Sequence, residues 1–312
     1  MPITLTVHVN PASHLPVHQR SEPSWRRLHR IADAAYPELQ SLWATLFADV
    51  RASIPEVALR EALASGNALL VEEVLAPVWA RLGDAPARSA LPVVVRETVR
   101  QAAEAMLPSL RATLGVTVDV AFHVVVPETL AVIDAYVGRE ILGISDLTMH
   151  NVRQVIRTGF SEGRSLMQMM RDLETSIGLT PRQTQRLAQL RDRLTADGLP
   201  GSQIRQRVQE ASRRALRQRV ENIARSESMM ASNMGAHQLL VQNVEQGLLD
   251  VDRVRRHWLV AADRRLCPRC APVPSMNPDG VRLRQSFTTP AGDVLHPPLH
   301  PMCRCTVNTN II

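Results

Sequence analysis

Four cysteines near the end of the chain are the residues whose types and spacing most clearly indicate chemistry. Cys267 and Cys270 form a C-x-x-C motif, and Cys303 and Cys305 form a second pair with His300 beside it. A C-x-x-C turn directs two thiolates at one ion, and a later pair of ligands can complete a tetrahedral site. The pattern therefore predicts a closed, structural zinc site.

The spacing alone leaves two alternatives and an open ligand set. The same thiols could form disulfides or stay unligated, but residues 1–10 lack the basic and apolar stretches of a secretory signal, and a reducing compartment favours metal. Either Cys303 and Cys305 both bind, with His300 hydrogen-bonded behind them, or His300 replaces one of them. His296 is the least favoured ligand, because two prolines separate it from the second cysteine pair.

The segment between the cysteine pairs is rich in proline and glycine. Residues 271–295 contain few large apolar side chains, so we expect burial alone not to hold them. A structural zinc ion contributes on the order of 10 kcal/mol or more where metal binding and folding are coupled. The sequence therefore predicts that the tail, residues 258–305, is stabilised by its metal.

Positive charge is concentrated in two blocks of the chain. Lysine is absent, so all 36 basic residues are arginine. Residues 182–225 hold eleven arginines and four acidic residues, and residues 253–284 hold eight and two, which leaves the remainder acidic. Such blocks indicate a polyanionic partner, or docking on an acidic protein. The candidate contacts to phosphates of double-stranded DNA, without sequence preference, are Arg213, Arg214, Arg217, Arg255 and Arg256.

The hydrophobic pattern predicts a mainly α protein in two domains. Residues 1–115 read as a helical packing or interaction domain. Residues 116–312 read as a helical domain with a short strand at 116–126, helices to about residue 249 and the tail at the end. Only 3% of the residues are aromatic, which suits packed aliphatic helices. No stretch is long and apolar enough to predict a membrane span.

Several element boundaries follow from caps and breakers. Residues 3–9 alternate like a short strand. Pro127 opens a helix to about residue 142, and a second helix is expected over 146–160. Ser165 and Thr180 are typical N-caps of the next two helices.

One long helix is predicted from residue 202 to about residue 249. Its apolar positions recur every three or four residues, and Glu227 and His237 fall on that stripe. A buried carboxylate needs a partner, and the neighbouring Arg225 points elsewhere on the helix. We interpret Arg225, Glu227 and, in the tail, Asp263 as structural polar residues rather than catalytic ones.

Four motifs together resemble the F-like minor head proteins of phage Mu and its relatives, a family of phage head morphogenesis proteins. The motifs are G-F-S-E-G-R-S at residues 159–165, I-A-R-S-E at 223–227 with Asn233 downstream, W-x-x-x-x-D-x-x-x-C-x-x-C at 258–270, and P-P-x-H-P-x-C-R-C at 297–305. The last two are the most specific. The resemblance covers roughly residues 116–305.

The resemblance implies a low-copy minor capsid protein that acts in head assembly and in genome packaging or delivery. It would be made in the host cytoplasm and lie inside the phage head near the portal, with portal, capsid and scaffold proteins as partners and, in some relatives, DNA. We expect no enzymatic activity, and we expect residues 1–115 to supply the docking surface. Two rival interpretations are a DNA-binding zinc module and a hydrolase that uses zinc or uses Cys303 with His300.

Overall fold

The protein was analysed as a computed structural model that describes residues 24–84, 86–114, 120–260 and 266–312. Its main helices are α1 (Ser24–Ala52), α2 (Glu56–Ala64), α3 (Ala68–Asp84), α4 (Pro86–Leu114), α5 (Pro127–Ser161), α6 (Leu166–Ser176), α7 (Pro181–Ala196), α8 (Gly201–Glu245) and the one-turn α9 (Val273–Met276). A single antiparallel pair of strands, β1 (Val254–Leu259) and β2 (Thr306–Ile311), is present in the described part. The prediction of a mainly α chain with a Cys/His-rich tail is confirmed. Within the described ranges, no helix has the length and apolarity needed to cross a membrane.

Local sequence signals place several helix ends correctly. Ser165 and Thr180 cap α6 and α7 through capping boxes with Gln168 and Gln183. One predicted break is wrong, because α5 runs without interruption through Gly143. A glycine inside a helix lowers stability by only about 1 kcal/mol, so the glycine by itself does not end the helix.

The strand predicted at 116–126 is not found over its described part. Residues 120–126 are irregular and end in a turn before α5. The side chain of Gln242 on α8 accepts from His123 N at 3.0 Å and donates to His123 O at 2.9 Å. An amide side chain thus supplies the hydrogen bonds that a partner strand would have given. The remainder of that prediction, and the strand predicted at 3–9, lie outside the described residues.

The chain divides into two compact units that interleave along the sequence. The terminal unit combines Met1–Ala35, Val95–Thr129 and Arg225–Ile312, and the middle unit combines Tyr36–Val94 with Leu130–Ala224. The sequence had instead suggested a single boundary after residue 115. Helix α8 contributes its first half to the middle unit and its second half to the terminal unit.

In the middle unit, polar side chains hydrogen-bond to backbone carbonyls near the end of α6. Arg219 of α8 donates to Gly178 O at 2.6 Å, and its guanidinium lies 5.3 Å from the ring centre of Phe47. Asn151 of α5 donates to Ser176 O and Leu179 O. These bonds satisfy carbonyls that the end of α6 leaves without helical partners.

In the terminal unit, the second half of α8 is buried on its polar positions as well as its apolar ones. Glu227 is 2% exposed and His237 is also buried, as the stripe predicts. Arg225 points away from that stripe and pairs with Asp33 of α1. Asp263, the third structural polar candidate, lies outside the described residues.

Helices α4 and α8 approach closely at Gly235. A Cβ at this position would overlap the backbone oxygen of Val99 and lie 2.8 Å from the Cβ of Ala102. The absence of a side chain at Gly235 therefore sets the distance between the two helices. Backbone atoms of α4 cannot move aside as a flexible side chain could.

We expect Gly235→Ala to lower the free energy of unfolding by about 2–3 kcal/mol, since overpacking against backbone strains both helices. Gly143→Ala is the matched control, because Gly143 is also helical but has no atom within 4 Å of a built Cβ. The control should be neutral or more stable by up to about 1 kcal/mol, as alanine favours helix. Urea denaturation of both variants measures the difference, and equal stabilities would contradict the close approach.

Arg256 on β1 is an internal residue, so its assignment as a phosphate contact is wrong. It is 1% exposed, and its guanidinium lies 5.3 Å from the ring centre of Phe287. It donates to Leu295 O at 2.7 Å, to Arg282 O and to Gln285 O. Burial lowers the pKa of Arg256 to about 10. One side chain thus ties the connection between the cysteine pairs to the sheet.

Replacing Arg256 by methionine should destabilise the terminal unit by about 3 kcal/mol or more. The methionine fills space but leaves the carbonyls of Arg282, Gln285 and Leu295 without this donor. Arg282→Met is the control, because that side chain is 65% exposed and pairs only with the exposed Asp252; such surface changes stay within about 0.5 kcal/mol. Thermal unfolding measures the melting temperature of both variants. Similar melting temperatures would show that the Arg256 bonds do not stabilise the fold.

Candidate metal centre

Pairing of the two strands brings the cysteine pairs together. β1 and β2 are antiparallel, with Val254 opposite Ile311 and Leu259 opposite Thr306. The end of β1 therefore lies beside the start of β2. The first cysteine pair follows β1 and the second precedes β2, so both pairs emerge at the same end of the sheet.

Tight turns then direct the side chains inward. Cys270 N and Ala271 N both donate to Cys267 O at 3.0 Å, which forms the turn that a C-x-x-C motif predicts. Cys303 N donates to His300 O at 3.1 Å in a second turn. The two turns present thiols and an imidazole to one another.

We call the resulting group the cysteine–histidine cluster. Its members, all predicted from the sequence, are Cys267, Cys270, His300, Cys303 and Cys305. They form two triads that share Cys270, one with Cys267 and His300 and the other with Cys303 and Cys305, and the ligand atoms within each triad lie within 4.8 Å of one another. The Cys270 and Cys303 sulfurs are 3.8 Å apart, and the Cys270 sulfur is 3.1 Å from His300 Nε2. The cluster can hold a metal ion.

The orientation of His300 suits a metal ligand. Its Nδ1 lies 2.8 Å from Pro301 O, and because a carbonyl can only accept, Nδ1 carries the proton. Nε2 therefore has a free lone pair, and it is the atom that faces Cys270. A backbone carbonyl that fixes the tautomer of a histidine is a common companion of metal ligation.

The thiols of the cluster differ in acidity because they interact with one another. A hydrogen bond from Cys305 lowers the pKa of Cys303 to about 5, while the same interaction and burial raise the pKa of Cys305 above its ordinary value. Burial and the neighbouring Cys303 raise the pKa of Cys270 to about 12. Without a cation, the group thus favours one thiolate shared with neighbouring thiols. A bound cation would stabilise additional thiolates.

The segment between the cysteine pairs contributes more to a hydrophobic core than its composition suggested. Val273, Val281, Leu283 and Phe287 are buried, and Phe287 packs edge-on against Trp258 with ring centres 5.3 Å apart. The segment has few apolar side chains, but these four point inward. The cluster cysteines belong to the same hydrophobic core as Trp258. An ion bound by the cluster would therefore stabilise the same structure that apolar burial stabilises.

Two hydrogen bonds join the cluster to helices of the terminal unit. Asn233 of α8 donates to Cys305 O at 3.5 Å, and His29 of α1 lies 3.0 Å from Arg304 O. Desolvation lowers the pKa of His29. The cluster is therefore fixed to the helical core and not confined to a separate finger.

Sequence reasoning missed a small cavity near this core that has several polar side chains in its lining. Asn233, His237, Arg256 and His296 line a space of about 70 Å³. The ring centres of His237 and His296 are 5.9 Å apart. Desolvation lowers the pKa of His296 to about 4 and that of His237 well below its ordinary value. The two histidines are far apart in the sequence, so no local pattern marked them as neighbours. His296 is not a member of the cluster.

The arginines predicted to contact phosphates do not form one group. Arg213, Arg214 and Arg217 are exposed on α8 in the middle unit. Arg255 on β1 is half-buried in the terminal unit and donates to Asp252 O and Val254 O. Arg256 is internal, as described above. Only the three arginines of α8 are presented to solvent.

The cysteine–histidine cluster is the most specific arrangement of chemically active groups in the described part of the chain. In comparisons with known proteins, no family model, no curated protein and no solved structure matches this chain. A functional assignment therefore depends on the chain's own residues.

Proposed function

We propose that the cluster is a structural zinc site. Zinc prefers thiolate and imidazole ligands in tetrahedral geometry, with zinc–sulfur bonds of about 2.3 Å. Two sulfurs bound to one such ion lie about 3.8 Å apart, and the Cys270 and Cys303 sulfurs have that separation. Cys267, Cys270 and His300 supply three ligands, and either Cys303 or Cys305 supplies the fourth.

Burial favours a structural over a catalytic ion. Cys303 is 1% exposed, and Cys270 and Cys305 are also buried. A catalytic zinc needs an open coordination position for water, and a nucleophilic cysteine needs access to substrate. The protein-only donor set of the cluster leaves no such position. A hydrolase is therefore the less supported interpretation.

Purified protein should contain about one zinc per chain, and Cys267→Ser, Cys270→Ser and His300→Gln should each lose it. His296→Gln is the matched control, because this imidazole is close in sequence but outside the cluster. Of Cys303→Ser and Cys305→Ser, the variant that loses zinc identifies the fourth ligand. Elemental analysis and melting temperature measure both effects. Zinc-free wild-type protein, or equal zinc content in all variants, would contradict the site.

We further propose that the chain is a minor head protein of a tailed phage, located inside the head near the portal. The observation that supports this is the convergence of three of the four motifs that carry the resemblance. Asn233 hydrogen-bonds to Cys305 O, and Trp258 packs in one core with Cys270 and Cys303. Motifs that are separate in sequence thus form one structural feature. In a family with a shared fold, these motifs would occur together in each sequence. The resemblance depends on that joint occurrence.

The rival DNA-binding zinc module is less supported. In such a module the basic residues beside the metal would face the phosphates. Here Arg256 is buried and Arg255 is bonded to local carbonyls. Arg255 and Arg256 therefore serve the structure of the tail.

Exposed apolar side chains in the first 115 residues support docking through this part of the chain. Val57 on α2 is 72% exposed and Leu69 at the start of α3 is 70% exposed. Large apolar groups that remain in solvent are often interaction sites where they form a patch. Both side chains belong to the middle unit, so their replacement need not disturb the zinc site.

We expect the tagged chain to co-purify with the portal protein of the same phage when both are co-expressed. The double variant Val57→Glu, Leu69→Glu should weaken this binding about tenfold or more, since charge is poorly tolerated in an interface core. Val125→Glu is the control, because Val125 is equally exposed but lies beyond residue 115. If wild-type protein does not bind, portal association is wrong; if the double variant binds undiminished, docking lies elsewhere.

A further inference from the structure

A basic groove lies between α6 and α8 in the middle unit. Two cavities of about 400 and 200 Å³ meet along it and share Arg171, Thr175 and Gln209 as lining residues. Arg213 lines the wider cavity and Arg205 lines the narrower one. Ser212 of α8 donates to Thr175 O of α6 at 2.6 Å, which fixes the spacing of the two helices. We call this feature the α6–α8 groove.

Three guanidinium groups of the groove form no ion pair in the part of the chain that the structure describes. Within the described ranges, no carboxylate lies within 4.0 Å of Arg171, Arg205 or Arg213. Arg153 of the same unit, by contrast, is paired with Glu72 at 3.1 Å. The groove thus concentrates cations that are free to bind an external anion.

The acidic residues of the groove do not neutralise these cations. Asp172 is already held by Arg164 at 2.5 Å and by Arg191 at 2.8 Å, so its charge is compensated. Glu56 and Glu174 line the wider cavity together with Arg51 and Arg60. Burial lowers the pKa of Arg51, and the negative charge of Glu174 partly opposes this shift. Six arginines and three acidic side chains line the two cavities, so the groove keeps a positive excess.

The spacing along α8 suits a linear polyanion. Arg205, Gln209 and Arg213 recur every four residues and so lie on one face of the helix. At a rise of about 1.5 Å per residue, the two arginines are about 12 Å apart along the helix axis. DNA carries a phosphate about every 3.4 Å of axis on each strand, so this distance spans several phosphates and not one. Gln168, Thr175 and Gln209 add amide and hydroxyl donors between the charges.

We propose that the α6–α8 groove binds the phosphate backbone of double-stranded DNA. Arg171, Arg205 and Arg213 form ion pairs with separate phosphates along the backbone, and the neighbouring amides and hydroxyl hydrogen-bond to the phosphates between them. No aromatic side chain lines either cavity, so bases are not stacked or read and binding is independent of sequence. This site depends on neither the zinc cluster nor the proposed place in the phage head.

The test compares two triple variants of the full chain that lose the same charge. The groove variant is Arg171→Gln, Arg205→Gln, Arg213→Gln. The control variant is Arg186→Gln, Arg193→Gln, Arg207→Gln, three exposed arginines of α7 and α8 that line none of these cavities. Circular dichroism and melting temperature confirm that both variants are folded. Affinity for a short DNA duplex is then measured over a series of salt concentrations.

Each released counterion contributes to the salt dependence, so removing three phosphate contacts should reduce the slope of log affinity against log salt by about 2–3. The groove variant should also bind about tenfold or more weakly at fixed salt, while the control keeps most of its affinity and slope. Equal losses in the two variants would show a diffuse charge effect and overturn the proposal. Absence of wild-type binding at low salt, or tighter binding of an RNA duplex or of free inorganic phosphate, would overturn it as well.

Discussion

Antiparallel pairing of β1 with β2 is the constraint on which the terminal unit depends. The register fixes Leu259 opposite Thr306, and this alone places the two turns that carry the cysteines next to each other. The same strand points Arg256 inward, where it holds the carbonyls of Arg282, Gln285 and Leu295. Backbone pairing therefore assembles the ligands, and one side chain orders the segment between them. An ion bound there would lock the end of a sheet that is already formed.

Helix α8 supports this arrangement through buried polar side chains. Gln242 replaces a partner strand for the backbone of His123, Asn233 reaches Cys305 O, and His237 lies within 3.5 Å of Arg256. Apolar contacts alone would allow irregular segments to slide over a helix. Hydrogen bonds from buried amides and imidazoles fix one position, because any displacement would leave polar groups without partners. Gly235 has the corresponding role toward α4, where contact is set by backbone shape.

The cysteine–histidine cluster and the α6–α8 groove belong to different compact units of the chain. The soft ligands are buried in the terminal unit, whereas the unbalanced arginines line a groove of the middle unit. A structural ion and a polyanion-binding surface place opposite demands on their surroundings, since one needs exclusion of water and the other needs access.

Features that depend on neighbouring residues could be predicted from the sequence. Capping boxes at Ser165 and Thr180, the apolar stripe that buries Glu227, and the C-x-x-C turn follow from spacing, because their interactions close within a few residues. The cysteine–histidine ligands were identified in the same way, since no other cysteines exist in the chain. The roles of residues whose partners are distant in the sequence depend on the tertiary structure. V-R-R-H-W-L resembles an exposed basic segment, yet Arg256 is internal because carbonyls from a later loop surround it. Arg171 and Arg205 form one groove only because α6 packs against α8, a long-range contact that no local pattern encodes.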